Sequence, residues 1–136
     1  MSVEVGAKAL RARSVHHSEV AALVPEQSPS RLMLLFYAVE CGLKAAILLR
    51  RSSRGTQDLD EGLKSHDLVR LAKELRLPLD LMPSPAYRGR TGAGSVAAKD
   101  LHLAWRYGME LHESDQAEAQ LVLSRLLEWS RSELRA

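Results

Sequence analysis

The sequence predicts an all-α fold, a helical bundle forming a single domain over residues 1–136. Three observations carry that expectation. The stretch from Ser30 to Leu49 is long, and apolar on nearly every side, as a helix buried among other helices is. Leu and Ala are abundant while aromatics make up only 4% and Phe occurs once, a balance that favours helix over sheet. Later stretches repeat apolar residues at helical spacing. A chain of 136 residues is long enough to bury a real core as one domain.

The first helix is expected from about Val3 to Leu23. Ala7, Leu10, Arg11, Ser14, Val15 and Ser18 share one side, and Ala21 and Ala22 continue it. That face is only moderately apolar, which puts the helix on the outside of the bundle. His16 and His17 fall late in it and read as surface histidines, with a subunit interface as the other role. Pro25 and Pro29 bracket a short loop.

The central helix follows. Leu32, Leu35, Phe36, Val39, Leu43, Ala46 and Ile47 line one face. Met33, Leu34, Tyr37, Ala38, Cys41, Ala45 and Leu48 make much of the rest apolar. Ser28 or Ser30 can cap its start and Pro29 suits the first turn. Arg50, Arg51 and Arg54 follow its end, where positive charge suits the helix dipole. Glu40 and Lys44 are four apart with the acid first, the favourable order for an ion pair. About 20 apolar residues span a bilayer, but two charges mid-helix and amphipathic helices elsewhere favour a core helix and no membrane. A signal peptide is not expected, because the first twenty residues lack an apolar core region.

Residues 50–64 are polar with two glycines and read as a surface loop. The next helix is expected to start near Ser65 as N-cap, with Asp67 in the first turn and Leu68, Leu71, Ala72 and Leu75 facing inward. Leu77-Pro78 ends it. The segment from Pro78 to Ser95 is rich in Pro and Gly, and is expected to be the least ordered. Its Thr91-Gly-Ala-Gly lacks the spacing and preceding strand of a phosphate-binding loop. A short helix is expected from about Val96 to Ala104 or Trp105, broken or bent by Gly108. Asp115 and Glu118 form a capping pair for a last helix to about Leu134. Its face carries Ala119, Val122, Leu123, Leu126, Ser130 and Leu134, and Trp129 closes the core end or faces a partner.

A net charge of +2 argues against a generic polyanion binder. Basic residues do cluster at Arg50 to Arg54 and at Arg88 and Arg90, as solvated loops or as part of a phosphate-backbone groove. Lone Cys41 excludes an intramolecular disulfide and a cysteine metal cluster, and reads as a buried structural thiol. A reducing, cytoplasmic compartment fits. The histidines lack zinc-helix spacing, so no metal is expected, and no cofactor is predicted.

Three stretches in order, AVECGLKAAIL (38–48), HDLVRLAKEL (66–75) and WRYG (105–108), resemble the HEPN superfamily, the small helical domains of higher eukaryotes and prokaryotes. The resemblance runs from the core helix to the last helix. It implies an up-down bundle of four to five helices, usually a homodimer. Many relatives are metal-independent ribonucleases of toxin–antitoxin or phage-defence systems. Others are inactive modules that dimerise or bind a nucleotide or a partner protein, and an antitoxin or other protein partner is among the expectations here.

The active members carry an arginine, four to six residues, then a histidine. Arg106 and His112 match that pattern and are the candidate catalytic pair. Histidine can move a proton at a ribose 2′-OH or at the leaving oxygen, and arginine can neutralise charge on the pentacoordinate phosphorus. The position after the arginine, often asparagine in the family, is Tyr107, a candidate binding residue. In an unbroken helix, residues six apart point about 240° apart, so Arg106 and His112 converge only if the backbone bends, as Gly108 allows. Two copies can also meet at a dimer interface. Glu40, Lys44, His66 and Arg106 are expected to line a polar pocket for a nucleotide or RNA phosphate. The alternative is structural: Arg106 pairs with a core acid such as Glu40, Asp67 is a first-turn acid, and His112 is exposed.

Overall fold

Helix α2, Pro29–Arg50, is the axis on which the other elements pack. Ser28 caps it, its hydroxyl accepting from the Arg31 N–H at 3.2 Å, and Pro29 takes the first turn, where no N–H is needed. The structure, a computed structural model, describes residues 5–26, 28–90 and 94–135. Expectations for Val3 and for the stretch beginning at Thr91 fall outside those residues. Eleven residues of α2, from Ala38 to Leu48, are buried with the single exception of Cys41. The helix is long and apolar enough to cross a membrane by composition, yet most of it is enclosed by its neighbours.

Helix α1, Ala7–Ala21, lies along α2. Only Leu10, Ser14 and Ala21 are buried, so its inward stripe is narrower than the six-residue face expected, and Arg11 and Val15 face solvent. The approach is close because small residues meet. Ser14 donates its hydroxyl to the Ala38 carbonyl at 2.6 Å, across from Gly42.

The segment after α2 is more structured than a loop. A 3-10 turn, Thr56–Asp58, is followed by α3, Glu61–Lys64, whose N-terminus Asp60 caps. Helix α4, Leu68–Glu74, is capped by Asp67 rather than Ser65. Ser65 instead donates to the Gly62 carbonyl and ends α3. Leu68, Leu71, Ala72 and Leu75 point inward, and the chain leaves α4 through Arg76 in the left-handed region, φ 56°.

The Pro- and Gly-rich segment corrects the all-α expectation. After a 3-10 turn at Leu79–Leu81, strands β1, Ala86–Arg88, and β2, Ser95–Ala97, pair antiparallel with Tyr87 opposite Val96. Those two side chains are buried while their neighbours are more exposed, the period-2 alternation of a half-buried hairpin. Val96 is thus in a strand, not a helix. The hairpin docks on the last helix. The Arg88 N–H donates to Asp115 Oδ2 at 2.6 Å, and its guanidinium meets Oδ1 at 2.7 Å.

Helix α5, Leu101–Arg106, follows another 3-10 turn and ends as Gly108 permits, with φ 76°. Gly108 N–H donates to the Trp105 carbonyl and Met109 N–H to that of Ala104, the paired bonds of a Schellman ending. Helix α6, Glu113–Arg135, starts two residues before the expected cap. Asp115 and Glu118 are used elsewhere, on Arg88 and on the Ser84 hydroxyl. The inward face of α6 is the expected one from Ala119 to Leu134.

The basic clusters pin elements together. Arg50 donates to the Leu75 carbonyl and to Glu133, with its guanidinium 5.6 Å from the Trp129 ring centroid. Arg51 pairs with Glu74, Arg88 with Asp115, and Arg90 with Glu110. Mostly exposed pairs of this kind stabilise little individually. They do occupy Arg50, Arg51, Arg88 and Arg90, four of the side chains that a phosphate-backbone groove would use.

Candidate functional site

Three elements bring a polar cluster to one side of the core. Helix α2 supplies Tyr37, Glu40 and Lys44, which share a face at i, i+3 and i+7. The turn before α4 supplies His66. Helix α5 supplies His102 and Arg106, one turn apart.

Glu40 is its hub, only 8% exposed. One carboxylate oxygen accepts from Lys44 Nζ at 2.8 Å, and the other lies 2.7 Å from His66 Nδ1. Burial alone would push the Glu40 carboxyl up. The His66 hydrogen bond and the Lys44 charge outweigh it and hold the group below the usual carboxylate range. Lys44 also donates to the Lys64 carbonyl at 3.1 Å, so two of its three protons are engaged. An ionised carboxylate only accepts, so His66 carries its proton on Nδ1.

The His66 ring lies 4.2 Å, centroid to centroid, from that of His102. His102 is 4% exposed, stacks on Phe36, and has no hydrogen-bond partner at Nδ1 among the described residues. Burial, then the neighbouring His66, lowers its pKa, so His102 is neutral near pH 7. Tyr37 stands 5.9 Å from His102 and 6.4 Å from His66, ring to ring. Its hydroxyl accepts from Arg106 Nη2 at 2.6 Å. The Tyr37 hydroxyl, with Tyr107 beside it, raises Arg106 above the usual guanidinium value.

Glu40, Lys44 and His66 are thus in direct contact, and Arg106 joins them through Tyr37. Arg106 does not pair with Glu40, whose two oxygens go to Lys44 and His66. His112 has other partners. It is exposed just before α6, with Nδ1 3.0 Å from the Ser114 hydroxyl and its N–H donating to the Arg88 carbonyl. The Gly108 turn ends α5 between them, and the two side chains take different partners, Tyr37 for Arg106 and Ser114 for His112. Tyr107 is 80% exposed over a shallow groove.

Tyr37, His102 and His17 were not singled out by sequence as part of this cluster. The helical spacing of Tyr37 to Glu40 and of His102 to Arg106 was the available signal. His17, expected at the surface, is half-buried with its ring 5.9 Å from Tyr37. Cys41 is half-buried rather than fully buried, beside a cavity of about 200 Å³ that Glu40, Lys44 and Lys64 also line. Burial pushes its thiol up to about 11, so it is protonated and a poor nucleophile at neutral pH. Among the described residues no three His, Cys, Asp or Glu side chains converge as metal ligands.

The buried imidazole has a thermodynamic consequence. A histidine whose pKa is lowered on folding contributes stability above its unfolded value, about 6.5, that is lost as pH falls through the folded value. The melting temperature is therefore expected to fall as pH drops below about 6.5. His102→Phe keeps a ring against Phe36 and should flatten that part of the profile; an unchanged slope would remove His102 as its source.

No family model matches this chain, and neither does any curated protein or solved structure.

Proposed function

We propose that this chain is a HEPN-type, metal-independent endoribonuclease, cytoplasmic and homodimeric, of a toxin–antitoxin or phage-defence system. The observation that carries the chemistry is the contact between Glu40-held His66 and His102, beside Arg106 held by Tyr37. RNA transphosphorylation needs a proton acceptor, a proton donor and a cation at phosphorus. It needs no metal when side chains supply all three.

In this reading Arg106 holds the scissile phosphate. His66 takes the 2′-OH proton at Nε2, since Nδ1 is engaged by Glu40, and that carboxylate stabilises the imidazolium that forms. The 2′-oxygen bonds to phosphorus, the bond to the 5′-oxygen breaks, and the proton that His66 took passes to the leaving oxygen. The products are a 2′,3′-cyclic phosphate and a 5′-hydroxyl. Tyr37 is a positioning residue for Arg106, and Glu40 for His66. His112, which the family pattern pairs with Arg106, would enter this reaction only through a second copy of the chain.

The test is cleavage of structured RNAs in EDTA by the wild type and by Arg106→Ala, His66→Ala and His112→Ala. Wild-type cleavage with cyclic phosphate ends is expected, with losses on the order of 10²–10⁴-fold in Arg106→Ala and His66→Ala. Full activity in both variants would overturn the assignment. Loss in His112→Ala would mean a site shared between two copies.

A second reading is a catalytically silent module that binds a nucleotide, RNA or a partner protein. What favours it is the inward saturation of Glu40 and Lys44, and the separate settings of His112 and Arg106. It predicts a folded dimer without turnover, whose ligand binding is lost in Arg106→Ala.

A further inference from the structure

Beside Arg106, on the outer side of α5, the hairpin and the Gly108 turn enclose a groove of about 330 Å³. Its floor is apolar, made by Val96, Ala104 and Met109, and its wall by Leu103. Tyr107 stands over it, 80% exposed, an unusual setting for an aromatic ring in a chain with so few. Rings left this open are rarely needed by the core, and this one is not part of it. Arg106 and Tyr107 are adjacent at the end of α5, and the Arg106 guanidinium is fixed on the Tyr37 hydroxyl at 2.6 Å. A fixed cation and a free aromatic face therefore sit within the span of one nucleotide.

We infer that this groove is a base subsite: Tyr107 stacks a nucleobase of single-stranded RNA whose phosphate lies on Arg106. The inference rests on the proposed reading of Arg106 as the phosphate-holding residue. Stacking on an exposed ring requires a base whose face is free, which a duplex does not offer, so the substrate class is an unpaired segment such as a loop or a single strand. The groove carries few polar groups, with Asp100 and Ser95 at its edge. It favours an aromatic face without reading a hydrogen-bond pattern, so base identity should matter little. A second copy of the chain is the competing occupant, because Leu103 and Tyr107 form an exposed apolar pair.

The experiment is binding in EDTA of a fluorescent ten-nucleotide single strand and of an abasic strand of equal length. The proteins are wild type, Tyr107→Ala, Tyr107→Phe and Arg106→Ala, with the oligomeric state followed by sedimentation. Tyr107→Ala is expected to lose about 5- to 100-fold in affinity for the base-bearing strand, with the abasic strand unaffected and Tyr107→Phe close to wild type. Arg106→Ala should weaken both strands. Equal binding of the base-bearing strand by Tyr107→Ala and wild type would overturn the base subsite, while an Arg106 effect on the abasic strand would leave the phosphate reading standing. Dissociation of a dimer by Tyr107→Ala without a change in RNA affinity would assign the groove to self-association and overturn the subsite. Failure of the wild type to bind either strand would overturn both.

Discussion

Glu40→Ala is expected to cost about 3–5 kcal/mol of folding stability, because Lys44 is left as an uncompensated buried charge. Among the described residues the Lys44 ammonium keeps only the Lys64 carbonyl, and His66 loses the acceptor that fixes its ring. Urea unfolding followed by circular dichroism at pH 7 measures the loss. Lys44→Met should cost less, since Glu40 retains His66. Replacing both, Glu40→Leu with Lys44→Met, should recover much of the stability, since apolar pairs often replace buried ion pairs without loss. A drop below about 1 kcal/mol in Glu40→Ala would be the behaviour of a solvated surface pair and would remove Glu40 as the hub. The pH dependence has a definite sign. A carboxyl held below its ordinary value contributes stability above the unfolded pKa of about 4.5, and that is lost as pH falls through the folded value. This acid-limb component should be absent in Glu40→Ala.

Gly42→Val is expected to be comparably damaging for a purely steric reason. A Cβ at Gly42 would lie 2.6 Å from the Ser130 hydroxyl oxygen, 2.9 Å from Ser130 Cβ and 3.2 Å from the Ser14 hydroxyl oxygen. Those two serines belong to α6 and α1, so the small residues form the seam where three helices approach. Both hydroxyls are engaged, with the Ala38 and Leu127 carbonyls, and neither can rotate away freely. Overpacking of this kind costs about 1–3 kcal/mol and sometimes more, and valine adds two methyls beyond the offending Cβ. Thermal melts of Gly42→Ala and Gly42→Val should show a graded loss. Ser130→Gly should partly rescue Gly42→Ala, because it removes the two nearest atoms. Melts of both variants matching wild type would mean that α1 and α6 do not pack at this seam.

These two positions show how unevenly the chain could be read. The Glu40–Lys44 pair was legible because i, i+4 spacing acts within one helix. The role of Gly42 was not, because nothing local distinguishes a glycine that accommodates two neighbouring helices from one that merely weakens its own. The hairpin at 86–97 was missed for a similar reason. Its strands are three residues each, too short for a periodic signal, and are held by Asp115 from another element. The capping pair at Asp115 and Glu118 misled because both acids had stronger or more distant partners in Arg88 and Ser84.

By itself the sequence determined the helical class, the buried central helix with its cap, the inward faces of α4 and α6 and the break at Gly108. All of these follow from periodicity, propensity and capping, which act over a few residues. Only the tertiary structure decided the cluster. His66 reaches Glu40 across 26 positions, and Arg106 reaches Tyr37 across 69. It also set His112, six residues from Arg106 in the chain, among different partners. Which polar groups meet depends on how helices dock, and docking is governed by buried apolar faces that carry no mark of the chemistry at their edges.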